Sequence, residues 1–168
     1  MLIWEKAEPG NAARELALRN TDSFYNRVTD GKEWLTLTDV EKDREEGLEY
    51  GADRFILRLN GEDVGVFDYL YRQDKAPWIG FLFLAPSFRQ QGLALAALSE
   101  YFTRLWKQGY QTCQLGVVEG NEPAHRFWQG LGFEPVRTAT LRNGNHADVY
   151  ERMIDDDFIS SLNSRQNG

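Results

Sequence analysis

The chain has 168 residues, 42% of them hydrophobic, and a formal net charge of −7, enough length and apolar content for one domain with its own core. A single cysteine, Cys113, and two histidines, His125 and His146, exclude an internal disulfide and a thiolate metal cluster and give no reason to expect a bound metal. Acid excess without clustered Lys and Arg argues against nucleic acid as a partner, and the lack of a leader pattern or a run of roughly 18 apolar residues predicts a cytoplasmic protein with no membrane partner.

In chain order, Leu2 to Ala7 reads as a first strand and Glu8-Pro9-Gly10-Asn11 as a turn, followed by a helix with Ala13, Leu16 and Ala17 on one face. A second helical piece over Asp22 to Val28 carries Phe24 and Tyr25. A third is expected from Thr38, where Thr38-Asp39-Val40-Glu41 has the form of a capping box, to about Gly51. Glu41, Asp43, Glu45, Glu46 and Glu49 make that helix acidic, as a solvated face or as an attractor of an amine. From Arg54 the pattern turns to strands: Phe55 to Leu59, a turn at Asn60-Gly61-Glu62-Asp63, Val64 to Tyr71, and Trp78 to Leu84. A helix over Gln91 to Lys107, a strand over Thr112 to Val118 and a short helix over Pro123 to Gly130 come next. Strands Phe133 to Leu141 and Ala147 to Ile154 flank the loop Arg142-Asn143-Gly144-Asn145-His146, and the polar tail after Ile154 is expected to fray. The order predicts an α/β (α+β mixed) fold with a central mixed, mostly antiparallel sheet and helices on both faces.

Chemistry concentrates in two blocks. Arg89-Gln90-Gln91-Gly92-Leu93-Ala94 lies between an apolar strand and an amphipathic helix, where unpaired first-turn amides and the helix dipole favour a bound anion. The second block runs from Leu115 through Asn121, Pro123, Phe127 and Trp128 to Gly132-Phe133. Here a strand ends in Asn, a short helix with paired aromatics follows, and Gly132 fits the stop.

Together with Pro86-x-x-Arg89-x-x-Gly92-x-Ala94, the second block resembles the GCN5-related N-acetyltransferase (GNAT) superfamily across about Val64 to Ile154. The resemblance implies one acetyltransferase domain over 1–154, with residues 1–60 as the variable acceptor side, 64–154 as the acyl-CoA-binding core, and 155–168 as a tail. It implies a splay between the fourth and fifth strands. Carried over residue by residue, it gives main-chain contacts from Gln90, Gln91, Gly92, Leu93, Ala94 and Leu95 to the coenzyme A pyrophosphate, with charge from Arg89. Leu82, Phe83 and Leu84 would pair by backbone with the pantetheine arm, while Asn121, Phe127 and Trp128 would lie beside it. Acetyl-CoA would serve as the acyl donor, without a metal.

Two positions depart from the family pattern: Trp128 stands where a tyrosine often protonates the thiolate, and Gly116 where one branch has a glutamate. An indole N–H cannot release a proton near neutral pH, so Trp128 is a weak catalytic candidate whose alternative role is packing. Glu119, Asp68, Tyr69 and Tyr71 are the other candidates for moving the amine's protons. Cys113, inside a strand, reads as a small buried hydrophobe, His125 as a solvent-facing residue of the short helix and His146 as a turn residue of the hairpin loop. Trp4, Trp34, Trp78 and Tyr50 could line an acceptor pocket, but aromatics in a small domain are core by default. The expected activity is acetyl transfer to a primary amine of a small molecule or peptide by a monomer or homodimer. The alternative is an acyl-CoA sensor that has lost catalysis.

Overall fold

The computed structural model describes residues 1–72, 74, 76–141 and 143–167, so Arg142 of the expected hairpin loop lies outside the described residues. Strands β1 (Leu2–Lys6), β2 (Asp53–Leu59), β3 (Glu62–Tyr71), β4 (Pro77–Leu84), β5 (Thr112–Val118), β6 (Glu134–Thr140) and β7 (His146–Met153) form one sheet in the order β1-β2-β3-β4-β5-β7-β6. All neighbours are antiparallel except β4 and β5, which run parallel. That pair is matched only at Trp78↔Gln114 and Ile79↔Leu115, so the two strands part beyond this point. The expected splay is present, and it opens a cleft in the middle of the sheet.

Strand alternation decides which helix each side chain meets. Phe67 and Tyr69 pack with Tyr101, Phe102 and Leu105 of α4 (Leu93–Lys107), whereas Ile56, Val66 and Phe83 pack with Leu18 of α1 (Ala12–Arg19) and Tyr25 of α2 (Ser23–Asp30). The β2–β3 connection is a two-residue turn, with Asn60 and Gly61 at φ 51° and 82°. Both values are left-handed, as a type I′ hairpin requires, so β3 begins at Glu62 rather than Val64.

Helix α3 (Leu37–Glu49) is capped by Thr36, not Thr38. The Thr36 hydroxyl accepts from the Asp39 amide at 3.2 Å, and the Asp39 carboxylate accepts from the Thr36 amide at 2.7 Å. The capping box is therefore real but set two residues earlier, because Asp39 is placed to reach back from the third helical position. A larger correction concerns the tail, which forms α6 (Asp156–Asn167) instead of fraying. Asp155 accepts from the Phe158 amide at 2.8 Å to start it, and Phe158 and Leu162, four residues apart, are 1% and 0% exposed in the main core. Phe158 lies 5.0 Å from Phe102, and Ser99 donates to Asn163 at 2.7 Å, which fastens α6 to α4.

Candidate functional site

On one side of the splay lies a cavity of about 500 Å³. Every residue expected at a cofactor lines it except Gln91, whose side-chain amide instead donates to the Ser87 carbonyl at 3.0 Å. Its floor is the start of α4. Gly92, at φ 79°, is the N-cap, and no side chain caps the helix, so the first-turn amides have no such partner. Gln90, at φ 60°, is one of two described non-glycine residues in the left-handed region, a conformation that costs a non-glycine residue about 1–2 kcal/mol. The strained turn and the uncapped amides together have the geometry that can hold an anion. Arg89 borders it, but its guanidinium donates to the Leu84 carbonyl at 2.8 Å and to Asp22 at 2.6 Å. It therefore braces the loop against α2, whose N-cap is the same Asp22.

Asn121 is buried and begins α5 (Glu122–Gly130), where its side-chain oxygen accepts from the Ala124 amide at 3.3 Å. Asn121, expected beside the pantetheine arm, caps the helix and also borders the cavity. Phe127 and Trp128 meet edge to face at 5.0 Å, and Trp128 continues onto Phe133 at 5.2 Å. Trp128, 7% exposed, belongs to the main core while one edge faces the cavity.

On the other side of the splay is a second cavity of about 630 Å³. Among the described residues, its wall carries the carboxylates Asp30, Asp43, Glu46 and Asp68 against the guanidiniums Arg19 and Arg54. Arg19, 2% exposed, reaches Asp43 at 2.8 Å, Asp30 at 3.1 Å and Glu15 at 3.2 Å. Burial opposes its charge, but Asp43, Asp30 and Glu15 outweigh that and hold its pKa above the ordinary value. Glu15 also receives Arg54 at 2.6 Å and Arg44 at 3.0 Å. Both Arg19 and Arg54 lie 5.0 Å from the Phe81 ring centroid. Glu46 has no ion-pair partner among the described residues, so the wall as a whole favours a cation.

Asp68 sits in this second cavity, 7% exposed, with Arg54 at 3.5 Å. Burial pushes its pKa up to about 6, with Arg54 pulling it down and Asp43 and Glu15 adding to the rise. A carboxylate at that value can accept a proton near neutral pH. Of the other catalytic candidates, Trp128 reaches this cavity too, while Tyr69 and Glu119 do not. Tyr69 points to the opposite face, one residue along the pleat, where its hydroxyl accepts from Arg104 at 3.0 Å. Tyr71 stacks on Tyr110 at 5.3 Å on that same face. Glu119 is exposed beyond the end of β5.

Trp78 and Tyr50 line the second cavity, whereas Trp4 packs behind the sheet on Phe67 and donates to Glu100 at 3.0 Å. Trp34 is 63% exposed. From the acidic helix only Asp43 and Glu46 face inward to the cavity. His125, expected at the surface, instead packs with its Nδ1 2.7 Å from the Tyr150 hydroxyl. Cys113 is buried, which pushes its thiol up to about 12. Sequence reasoning missed Tyr25, which lines both cavities. Its one visible signal was an aromatic on a short polar helix, and nothing in the sequence places that helix over β4.

The model of the acetyltransferase (GNAT) family matches residues 15–133. Among solved structures, an acetyltransferase from Thermus thermophilus is 25% identical with a TM-score of 0.78, covering 91% of this chain and 97% of that one. An acetyltransferase from Salmonella typhimurium that modifies the N-terminal serine of ribosomal protein L7/L12 is 16% identical, with a TM-score of 0.71 over 92% of this chain and 95% of that one. The spermidine N-acetyltransferase of Vibrio cholerae, in complex with CoA and spermine, is 13% identical, with a TM-score of 0.67 over 91% and 95%. The last two likenesses are of fold.

Proposed function

The chain belongs to the acetyltransferase (GNAT) family, and we propose that it moves the acetyl group of acetyl-CoA directly onto a primary amine that enters as a cation. The observation that carries this reading is the meeting of two unlike cavities at the β4–β5 splay: one floored by uncapped amides, the other walled by carboxylates. The diphosphate would rest on the α4 amides and the pantetheine arm would run along Leu82, Phe83 and Leu84, toward the gap. An ammonium group would be drawn to Asp68 from the far side. The Vibrio cholerae spermidine N-acetyltransferase, whose structure holds CoA and spermine, is named for a polyamine, an amine of the same charge type.

Asp68 is the base in this reading. An ammonium with pKa near ~10.4 must lose a proton before its nitrogen can attack. Burial penalises both charged partners, so a proton passes from ammonium to carboxylate more readily here than in water. Orientation of amine and thioester in one cleft supplies much of the remaining acceleration.

The test is release of free thiol from acetyl-CoA, corrected for hydrolysis, across polyamines, aminoglycosides, amino acids and peptide N-termini. Turnover with a cationic amine is the expected result. Binding of acetyl-CoA without turnover on any acceptor would favour a sensor instead.

A further inference from the structure

Five residues border both cavities: Tyr25, Leu82, Asn121, Ala124 and Trp128. They mark the boundary at which the two cavities meet. Leu82 and Ala124 have no exchangeable side-chain proton, and the Asn121 amide and Trp128 indole do not ionise near neutral pH. Tyr25 alone of the five carries an ionisable group.

The ring is held in place. Asp22 accepts from the Tyr25 amide at 3.0 Å, and the ring packs edge to face on Phe81 at 5.6 Å and Phe83 at 5.2 Å. Those contacts set it over β4 at the level of Leu82. The Tyr25 hydroxyl makes no hydrogen bond to any described residue. Its ionisation is governed first by burial, which raises its pKa, and then by Arg19, Asp30, Arg54 and Asp68, all of which line the second cavity. The hydroxyl thus stays protonated across the physiological range, within the field of the proposed base.

We infer that Tyr25 is the catalytic residue that hands a proton to the departing sulfur, from the boundary between the two cavities that it shares with Trp128. The inference rests on the transferase reading above. The nitrogen–carbon bond forms, the carbon–sulfur bond breaks, and its electron pair goes to sulfur. Acylation strips two protons from the entering ammonium. One reaches sulfur through Tyr25, which gives its hydroxyl proton and takes up one from nitrogen, and the other leaves to solvent through Asp68. The products are the amide, coenzyme A as the thiol, and one released proton.

The experiment needs no acceptor. Coenzyme A is bound to the wild-type protein, to Tyr25→Phe and to Tyr25→Phe/Trp128→Tyr; affinity is measured by calorimetry, and the bound thiol is titrated by its ultraviolet thiolate absorbance. A hydroxyl aimed at sulfur stabilises the thiolate, so Tyr25→Phe should bind coenzyme A as before and raise the bound thiol's pKa by about one unit, a tenfold change. The double variant, with a hydroxyl restored at another residue of the same boundary, should bring it back down. Equal thiol pKa values in wild type and Tyr25→Phe would overturn the inference and leave the transferase reading standing. Loss of coenzyme A binding in Tyr25→Phe alone would overturn it too, by making Tyr25 a binding residue. Failure of the wild-type protein to bind coenzyme A would overturn both.

Discussion

Asp68 and Gly80 face each other where the β3–β4 ladder slips. Asp68 pairs with Phe81 and Tyr69 with Ile79, leaving Gly80 as an extra residue. A Cβ on Gly80 would overlap the Asp68 carboxylate. The missing side chain at Gly80 therefore makes room for a buried carboxylate just where β4 leaves β5. Gly80→Ala is predicted to push Asp68 out of place and lower acetyl transfer about 10²-fold or more. Coenzyme A affinity, measured by calorimetry, should hold. A fully active Gly80→Ala protein would remove Asp68 from the mechanism.

The pH dependence follows from the same carboxylate. With Asp68 at about 6, the basic form gains above that pH, so kcat/KM should climb through pH about 6, and Asp68→Asn should abolish this rise. The effect on stability has the opposite sense. A carboxyl whose folded pKa lies above its unfolded value of about 3.9 binds its proton more tightly when folded. Its contribution is full below that unfolded value and is lost as pH rises through about 6. The melting temperature of Asp68→Asn relative to wild type should accordingly increase between pH about 5 and about 7.

Glu15 is 0% exposed and holds three guanidiniums, at 2.6 Å from Arg54, 3.0 Å from Arg44 and 3.2 Å from Arg19. Removing it leaves buried cations facing one another. Glu15→Ala should cost about 3–5 kcal/mol, lowering the melting temperature by roughly 10 °C. A shift of only a degree or two would mean that water solvates this cluster.

Phe158 gives the corresponding prediction for α6. It is 1% exposed between Phe102 and Phe133, with the Arg152 guanidinium 4.3 Å from its ring centroid. Phe158→Ala should destabilise by about 3–5 kcal/mol, as read by denaturant unfolding, although the residue lies far along the chain from both cavities.

The elements that lie next to their own signals could be read from the chain. Asn60-Gly61 announced a hairpin, and Pro86 to Ala94 with the block around Asn121 marked the α4 start and the cleft. The second cavity was largely hidden, because its wall is assembled from α2, α3, β3 and the β6–β7 region. Asp68 and Tyr69 are neighbours in sequence, and only the pleat and the helices packed on each face decide that one meets the cleft and the other Arg104. The tail misled for a related reason. Asp155-Asp156-Asp157 looks like solvated acid, yet Asp155 is a helix cap and the first apolar residue after it is a core residue. Polar composition outweighed a two-residue apolar stripe whose burial depends on α4 and Phe133, distant in sequence.

The most direct measurement is a calorimetric titration of acetyl-CoA into the wild-type protein and into Gly92→Val. Gly92 has open space around its missing side chain but a φ of 79°, so a β-branched residue strains the N-cap and screens the first-turn amides. The wild-type protein should bind with measurable heat and a raised melting temperature, and Gly92→Val should bind at least about tenfold more weakly, a difference of about 1.4 kcal/mol. Saturating acetyl-CoA that gave the wild-type protein neither heat nor a melting shift would contradict the cradle at the start of α4 and everything derived from it.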